Sequence, residues 1–344
     1  MLPGRKFCDK VPKMNLLVIS NNTSRASFRQ RIGEYRDILQ ANGIHCEVAK
    51  LPSGLLACRR LFKKAANYDG VFLHKKKLNF LDAFWLRKYS RKIIYNFDDA
   101  VMYSENNPNH NSWSRLIPFR RTVKLADIVI VGSSYLAQHA RRFSTNVEIL
   151  PIGLKVSDYK INHSPKTDGK IRLAWIGSKS TLKYLVAIKP VVEEIGLRFN
   201  NVVMRIICDD FFDLENMPVE KLRWSQETRG VDLAECEIGL APLPDDRFTQ
   251  GKCSFKVLEY AAAGLPVVAS PVGTNSDYVL DGVTGFFATD IDEWIDKITQ
   301  LVENHQLRKR MGAAGTAQAK KFDQSVIGKQ LVELITECLR GAAG

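Results

Sequence analysis

The fold class of this chain is decided by residues 254–270, Ser-Phe-Lys-Val-Leu-Glu-Tyr-Ala-Ala-Ala-Gly-Leu-Pro-Val-Val-Ala-Ser. The first ten residues predict a helix over 254–263, which Gly264 and Pro266 end. The apolar residues that follow, 266–269, predict a buried strand. A helix that leads directly into an apolar strand is typical of a parallel sheet with crossover helices, so this segment predicts an α/β protein.

The same alternation extends in both directions and predicts two successive series of strands. The first series is 15–19, 46–49, 70–74, 92–97, 127–132 and 147–150, with a helix over 27–41. The second series is 171–176, 202–208, 238–241, 266–269 and 284–287, with later helices over 292–303, 307–320 and 324–339. The polar stretch between them has no period and contains a proline and a glycine. The sequence therefore predicts domains over 1–156 and 171–323, a linker over 157–170 and a last helical segment over 324–344.

Length and composition exclude several classes of protein. The 344 residues exceed what one hydrophobic core usually serves, and 45% apolar with 25% charged residues is a globular composition. The seven cysteines form an odd set without a C-x-x-C pair, which indicates reduced thiols and argues against structural zinc. We expect no spanning helix, because no apolar run reaches about eighteen residues, and no signal peptide, because the basic start leads only into the short strand-like segment NLLVIS. These features predict a cytoplasmic protein.

The positive charge is concentrated in the first half of the chain. Residues 1–165 contain 28 Lys and Arg against 12 Asp and Glu, whereas the remainder contains 22 against 25. The basic clusters are interleaved with aromatic residues; the basic residues are Arg59, Arg60, Lys63, Lys64, Lys75, Lys76, Lys77, Arg87, Lys88, Arg91, Lys92, Arg115, Arg120, Arg121 and Lys124, and the aromatic ones are Phe62, Phe80, Phe84, Trp85 and Phe119. Such a surface suits an anionic membrane or nucleic acid, although solvated helix faces carry the same pattern. Nucleic acid is not expected as a partner, since no RNA- or DNA-binding motif accompanies the charge.

The helix over 254–263 carries residues suited to a nucleotide. Ser254 stands at its start, where the unpaired first-turn amides and the helix dipole attract an anion such as phosphate. Glu259 follows just over one turn later, so its carboxylate is placed to accept hydrogen bonds from vicinal ribose hydroxyls. The alternative is an ordinary charged helix face, with Lys256 and Glu259 as a surface pair.

The string GKCSFKVLEYAAAGLPVVASPVGTNSDYVLDGVTGFF resembles the donor-binding signature of the GT-B glycosyltransferases, in the large retaining family of group one transferases (family four). The subgroup it resembles has the form GKxxFKxLEY. Four further segments are similar to that family in order and spacing: VIVGSSYLAQHA, EILPIGL, RLAWIGSKSTLKYL and APLPDDRFTQGK. The resemblance implies two Rossmann-like domains facing a cleft, the first for the acceptor and the second for the nucleotide-sugar. It also implies that the last helix crosses back to the first domain.

The resemblance assigns donor-binding roles residue by residue. Glu259 matches the glutamate that holds the ribose, while Ser254 and Phe255 match positions whose amides meet the diphosphate. Lys252 and Lys256 are candidates to assist there.

A second diphosphate-binding element is implied at the turn after strand 171–176. Gly177, Ser178 and Lys179 form that turn, and Lys183 matches the family's lysine. The family's arginine is replaced by Ser178, so the resemblance requires a substitute cation such as Lys179. A solvated surface lysine is the alternative for Lys183.

One departure from the family concerns its usual first glutamate. That position is Gly251, so the carboxylate that normally touches the transferred sugar is absent. Asp245 or Asp246 is a candidate replacement, and the subgroup's own lack of the acid favours replacement over inactivity. Trp224 is a candidate to stack on the base, or else a core or rim residue.

The first half supplies candidate acceptor residues. Asp98 and Asp99 end strand 92–97 and His74 ends strand 70–74, so all three are expected at the carboxyl edge of the sheet, where an acceptor hydroxyl is oriented. Helix capping by an aspartate and a merely packed histidine are the alternatives. Because Asp98 and Asp99 are adjacent, they are expected to point to opposite faces of an extended chain, so no metal site is predicted.

These features together predict a glycosyltransferase. The resemblance implies that it moves a sugar from a nucleoside diphosphate sugar to a hydroxyl of a glycan or lipid-linked glycan, with retention at the anomeric carbon, and we expect it to need no metal or other cofactor. Such an enzyme fits polysaccharide biosynthesis at the inner face of a membrane. The alternatives are a donor-binding protein without turnover and a nucleotide-sugar epimerase on the same fold. A dehydrogenase is disfavoured, since no GxGxxG follows a strand.

Overall fold

The computed structural model describes residues 13–159 and 168–341, which divide into two compact units. The first unit comprises the described residues of Met1–Met102, Asn111–Leu150 and Ile327–Gly344. The second comprises those of Tyr103–His110 and Pro151–Val326. Part of the predicted linker, 160–167, lies outside the described residues.

The first unit is built on a six-stranded parallel sheet. Its strands are β1 Met14–Ser20, β2 Ile44–Lys50, β3 Gly70–His74, β4 Ile93–Phe97, β5 Ile128–Val131 and β6 Val147–Ile149, in the spatial order β2-β1-β3-β4-β5-β6. Its helices are α1 Ala26–Arg31, α2 Arg36–Ala41, α3 Leu55–Lys64, α4 Phe80–Tyr89, α5 Trp113–Leu125 and α6 Ser134–Arg141. Strands β3, β4 and β5 are buried along their whole length, as parallel strands covered by helices on both faces must be.

The second unit repeats this architecture. Its strands are β7 Ile171–Ile176, β8 Val202–Ile207, β9 Val219–Leu222, β10 Ile238–Ala241, β11 Val267–Ala269 and β12 Gly285–Phe287, in the order β12-β11-β10-β7-β8-β9. Its helices are α7 Leu182–Ala187, α8 Lys189–Arg198, α9 Arg229–Ala234, α10 Phe255–Ala262, α11 Asn275–Tyr278, α12 Ile291–Glu303 and α13 His305–Ala319. All strand pairs in both sheets are parallel.

The last helix, α14 Gln324–Arg340, belongs to the first unit from Ile327 onward, as expected. A glycine makes this packing possible. A Cβ at Gly328 would lie 2.7 Å from the side chain of Ile38, which is closer than real Cβ contacts, so the bare backbone lets α14 approach α2.

Two elements differ from the sequence prediction. The helix expected over 27–41 is interrupted at Ile32, whose φ of −146° leaves the helical region, and a 3-10 turn over Gly33–Tyr35 separates α1 from α2. The second sheet has a sixth strand, β9, that was not predicted. Its sequence VEKL is half-exposed at the edge of the sheet, so it shows neither an apolar run nor strict alternation.

Helix α10 is fixed on its sheet by Tyr260. The Tyr260 hydroxyl donates to the carbonyl of Leu240 at 3.1 Å and accepts from the amide of Ile176 at 3.0 Å. Gly239 leaves room for the Tyr260 ring, because a Cβ at that position would lie only 2.5 Å from the ring carbons. The helix start therefore has a defined position at the carboxyl ends of β7 and β10, where open α/β sheets bind ligands.

Candidate functional site

The start of α10 is shaped to receive an acceptor of hydrogen bonds. Ser254 has a φ of +41°. It is one of two non-glycine residues with left-handed backbone in the described part of the chain. Its Oγ is buried and has no hydrogen-bond partner among the described residues. Of the first-turn amides, that of Val257 donates to the Ser254 carbonyl at 3.0 Å, whereas those of Phe255 and Lys256 have no acceptor within the helix. Unused donors and the positive end of the dipole thus converge on one spot.

Lys256 lies beside this spot on an aromatic surface. Its Nζ is 4.0 Å from the centre of the Trp175 ring, and burial lowers the pKa of Lys256 to about 7. The same ring explains why residue 177 is a glycine, because a Cβ at that position would lie 2.6 Å from the indole. Trp175 therefore contacts both Lys256 and the turn that follows β7.

Glu259 is buried and held by two residues that the sequence analysis did not identify. The Tyr159 hydroxyl donates to Glu259 Oε1 at 2.8 Å, and Arg229 Nε lies 3.9 Å from the same oxygen. No sequence signal marks either residue, since Tyr159 lies 100 positions before Glu259 in a polar segment.

The other candidate lysines make contacts within the second unit. Lys179 pairs with Asp210 at 3.0 Å, and this hydrogen bond lowers the pKa of Asp210. Lys183 pairs with Glu105 at 3.1 Å.

Lys252 Nζ lies 4.7 Å from the centre of the Phe248 ring. Ser178, at the position of the family's arginine, caps the 3-10 turn that opens at Lys179 and exchanges hydrogen bonds with Thr181. Lys256 contacts the indole that lies beneath Gly177.

The two candidate replacements for the missing acid have different surroundings. Asp246 Oδ1 accepts from the amides of Phe248 and Thr249 at 2.8 and 2.9 Å, so it stabilises the turn before Gly251. Asp245 is exposed and accepts from Gln250 at 2.6 Å.

Trp224 is half-buried against the core of the second unit.

In the first unit, the candidate acceptor residues form one network at the carboxyl ends of β3 and β4. His74 is buried; its Nδ1 lies 3.0 Å from Asn96 Oδ1 and its Nε2 3.1 Å from Ser27 Oγ. Ser27 donates to Asp98 Oδ1 at 2.7 Å. Burial lowers the pKa of His74, which favours the neutral ring.

Lys75 joins both aspartates to this network, which corrects the expectation that they point to opposite faces. Its Nζ lies 3.1 Å from Asp98 Oδ1 and also contacts Asp99 Oδ2. The strand ends at Phe97, so the alternation of an extended chain does not continue through the two aspartates. Although burial opposes it, Lys75 with His74 and Ser27 lowers the pKa of Asp98. Lys75 itself has φ +59°, the second such non-glycine residue among those described.

Within residues 13–159 and 168–341, no group of three His, Cys, Asp or Glu side chains is arranged to hold a metal ion. Of the helices that the structure describes, none combines the length and the apolar character that crossing a membrane requires.

Part of the chain is similar to known sequences. Residues 214–304 match the family model described as glycosyl transferases group 1. The D-inositol 3-phosphate glycosyltransferase of Nocardioides sp. is 33% identical over 78 residues, which is 22% of this chain and 17% of that relative. The matched segments span between 17% and 28% of the length of the curated relatives.

Solved structures of similar fold cover most of the chain. The sucrose-phosphate synthase of Thermosynechococcus elongatus has a TM-score of 0.75 at 14% identity, covering 94% of this chain and 99% of that one. HepE of Anabaena, in complex with UDP-glucose, has a TM-score of 0.72 at 18% identity, covering 94% and 100%. At such identities the likeness concerns the fold, and it confirms the predicted GT-B class with its two parallel α/β sheets.

Proposed function

We propose that this protein transfers a glycosyl group from a nucleoside diphosphate sugar to an acceptor hydroxyl, with retention at the anomeric carbon and without a metal ion. The observation that carries the proposal is the start of α10, where the buried, unpartnered Oγ of left-handed Ser254 lies two residues from Lys256 and five from Glu259. One helix thus offers donors for a diphosphate and a carboxylate for a ribose. The UDP-glucose complex of HepE, which has a similar fold, supports this donor class.

The donor diphosphate is bound, in this proposal, by amides and lysines in place of a metal. The amide of Phe255, the Ser254 hydroxyl and the Lys256 ammonium neutralise the charge that grows on the leaving diphosphate. Lys179 and Lys183 leave their partners Asp210 and Glu105 to join them, since exposed ion pairs are weak and exchange readily. Lys252 assists from the same helix start.

The acceptor is oriented by the network of the first unit. Asp98 is kept ionised by Lys75, so its carboxylate accepts a hydrogen bond from the acceptor hydroxyl. His74 fixes Ser27, and Asp99 holds Lys75 from the other side. These residues position the acceptor, while the leaving phosphate takes its proton.

A lipid-linked acceptor at an anionic membrane fits one face of the first unit. Helices α3, α4 and α5 carry exposed apolar residues, which are Leu55, Leu56, Phe80, Leu81, Phe84, Trp113 and Ile117. Arginines lie among them: Arg59 is 4.4 Å from the Trp85 ring and Arg121 is 6.0 Å from the Phe80 ring. The only acidic residue of these helices, Asp82, is buried. Exposed aromatics with basic residues and no exposed acid suit the interface of an anionic bilayer.

The test is to incubate the purified protein with UDP-, GDP- and ADP-sugars in the presence of a chelator, with and without membrane extract as acceptor source. We expect release of free nucleotide from one donor, and loss of that release in Glu259→Gln and Lys256→Met. The matched controls are Glu303→Gln and Lys309→Met, whose side chains are exposed on α12 and α13. Tight binding without release under every condition would instead identify a donor-binding protein.

A further inference from the structure

A buried cation lies behind the carboxylate of Glu259. Arg229 opens α9 and is 2% exposed. Its Nη2 lies 3.6 Å from Asp158 Oδ2, and its Nε lies 3.9 Å from Glu259 Oε1. Neither Nε nor Nη1 has a hydrogen-bond partner among the described residues. Because a buried guanidinium with unused donors destabilises a fold, stability alone does not account for its position.

Tyr159 contacts the same oxygen from another direction. It is buried, and its hydroxyl donates to Glu259 Oε1 at 2.8 Å. Burial, and then the charge of Glu259, raise the pKa of Tyr159 well above its usual value. The phenol therefore remains a donor at every physiological pH. One hydrogen bond and one cation beside the same oxygen restrict the rotation of the carboxylate about its last torsion.

The backbone around Arg229 is built to bring these groups together. A Cβ at Gly230 would lie 2.1 Å from the carbonyl oxygen of Asp158, so only glycine lets α9 approach the segment that contains Tyr159. The Arg229 guanidinium lies 5.6 Å from the Tyr159 ring centre and 6.0 Å from that of Phe255. Arg229 thus touches the segment before the second sheet, the first residue of α10 and Glu259.

We propose that Arg229 and Tyr159 are positioning residues that hold Glu259 as an anion in one orientation, and so make the site selective for ribonucleotides over 2′-deoxyribonucleotides. This inference rests on the proposed function, in which Glu259 takes the ribose hydroxyls. A positive charge within about 4–6 Å stabilises a carboxylate anion, and an anion with fixed rotation accepts from two vicinal hydroxyls at once. A 2′-deoxyribose lacks one of these donors and leaves that part of the carboxylate unpaired.

The experiment measures calorimetric affinities of the full chain for UDP, GDP and ADP and for their 2′-deoxy counterparts. The variants are Arg229→Gln, Arg229→Lys, Tyr159→Phe and Glu259→Gln, and the control is Arg223→Gln, an exposed arginine of the same unit. We expect the wild type and the control to prefer the ribonucleotide by about 10–100-fold, the range of one charge-assisted hydrogen bond. Arg229→Gln and Tyr159→Phe should reduce that ratio to about threefold, and Arg229→Lys should restore part of it.

The ratio of the affinity for a ribonucleotide to that for its 2′-deoxy counterpart distinguishes a positioning role of Arg229 and Tyr159 from a role in folding alone. If folded Arg229→Gln and Tyr159→Phe lose affinity equally for ribonucleotides and 2′-deoxyribonucleotides, the inference is overturned. It is also overturned if both variants keep the wild-type ratio while Glu259→Gln abolishes it. Retention of the ratio in Glu259→Gln would instead overturn the proposed role of Glu259. If Arg229→Gln fails to fold, Tyr159→Phe decides, since it removes one hydroxyl and keeps the ring.

Discussion

Donor affinity should fall as the pH rises from 6 to 8, because Lys256 loses its proton in that range. Burial lowers the pKa of Lys256 to about 7, so roughly nine tenths of the free protein carries the ammonium at pH 6 and roughly one tenth at pH 8. A diphosphate prefers the charged form, so binding at pH 8 requires proton uptake. The apparent Kd scales with the inverse of the competent fraction and should rise about tenfold.

Titrations with UDP-glucose at pH 6, 7 and 8 and constant ionic strength measure this effect. A sugar nucleotide suits the assay, because its diphosphate lacks the terminal monoester phosphate that titrates near pH 6. Lys256→Arg is the decisive variant, since a guanidinium stays charged throughout and should give a flat profile. Lys256→Met should bind weakly at each pH. A flat wild-type profile, or a slope that persists in Lys256→Arg, would refute the reasoning.

Three further predictions concern stability and membrane binding. Tyr260→Phe removes the hydroxyl that joins α10 to Leu240 and Ile176, and should lower the free energy of unfolding by about 1–3 kcal/mol in urea titrations; an unchanged midpoint would contradict the anchoring role. Phe84→Ser should reduce co-sedimentation with phosphatidylglycerol vesicles several-fold, whereas Leu197→Ser, equally apolar and exposed in the second unit, should not; equal effects of the two would argue against a membrane face. Because the pKa of Asp98 is lowered in the fold, its contribution to stability is present above about pH 4 and disappears as the pH falls below that value, so thermal unfolding of Asp98→Asn should depend less on pH there.

The elements with a strong local signal could be predicted from the sequence. Strands 70–74, 171–176 and 238–241 have the predicted bounds, because each is a short, mostly apolar and mostly buried segment. Strand β9 could not be found, since edge strands are half-exposed and mix charged with apolar residues. The break at Ile32 was equally hidden, because apolar periodicity continues through it.

The candidate residues of the site could be named from the sequence, whereas the contacts between them could not. Helix α10 was found because its donors and carboxylate share one short segment. The partners of Glu259 and Asp98 are distant in sequence: Tyr159 precedes Glu259 by 100 positions and Ser27 precedes Asp98 by 71. The order of the strands in the sheets brings such distant residues together, and this order could not be predicted from the single sequence.

The left-handed backbones of Lys75 and Ser254 have a consequence for protein engineering. Each stores on the order of 1 kcal/mol that glycine would release, since glycine has no Cβ to clash. A library screened for heat resistance alone would therefore enrich glycine at Ser254 but not at Lys75, whose ammonium pairs with the buried carboxylate of Asp98. The gain at Ser254 would delete the hydroxyl at the helix start that the proposed chemistry uses. Selection for durability and selection for turnover should thus diverge at Ser254.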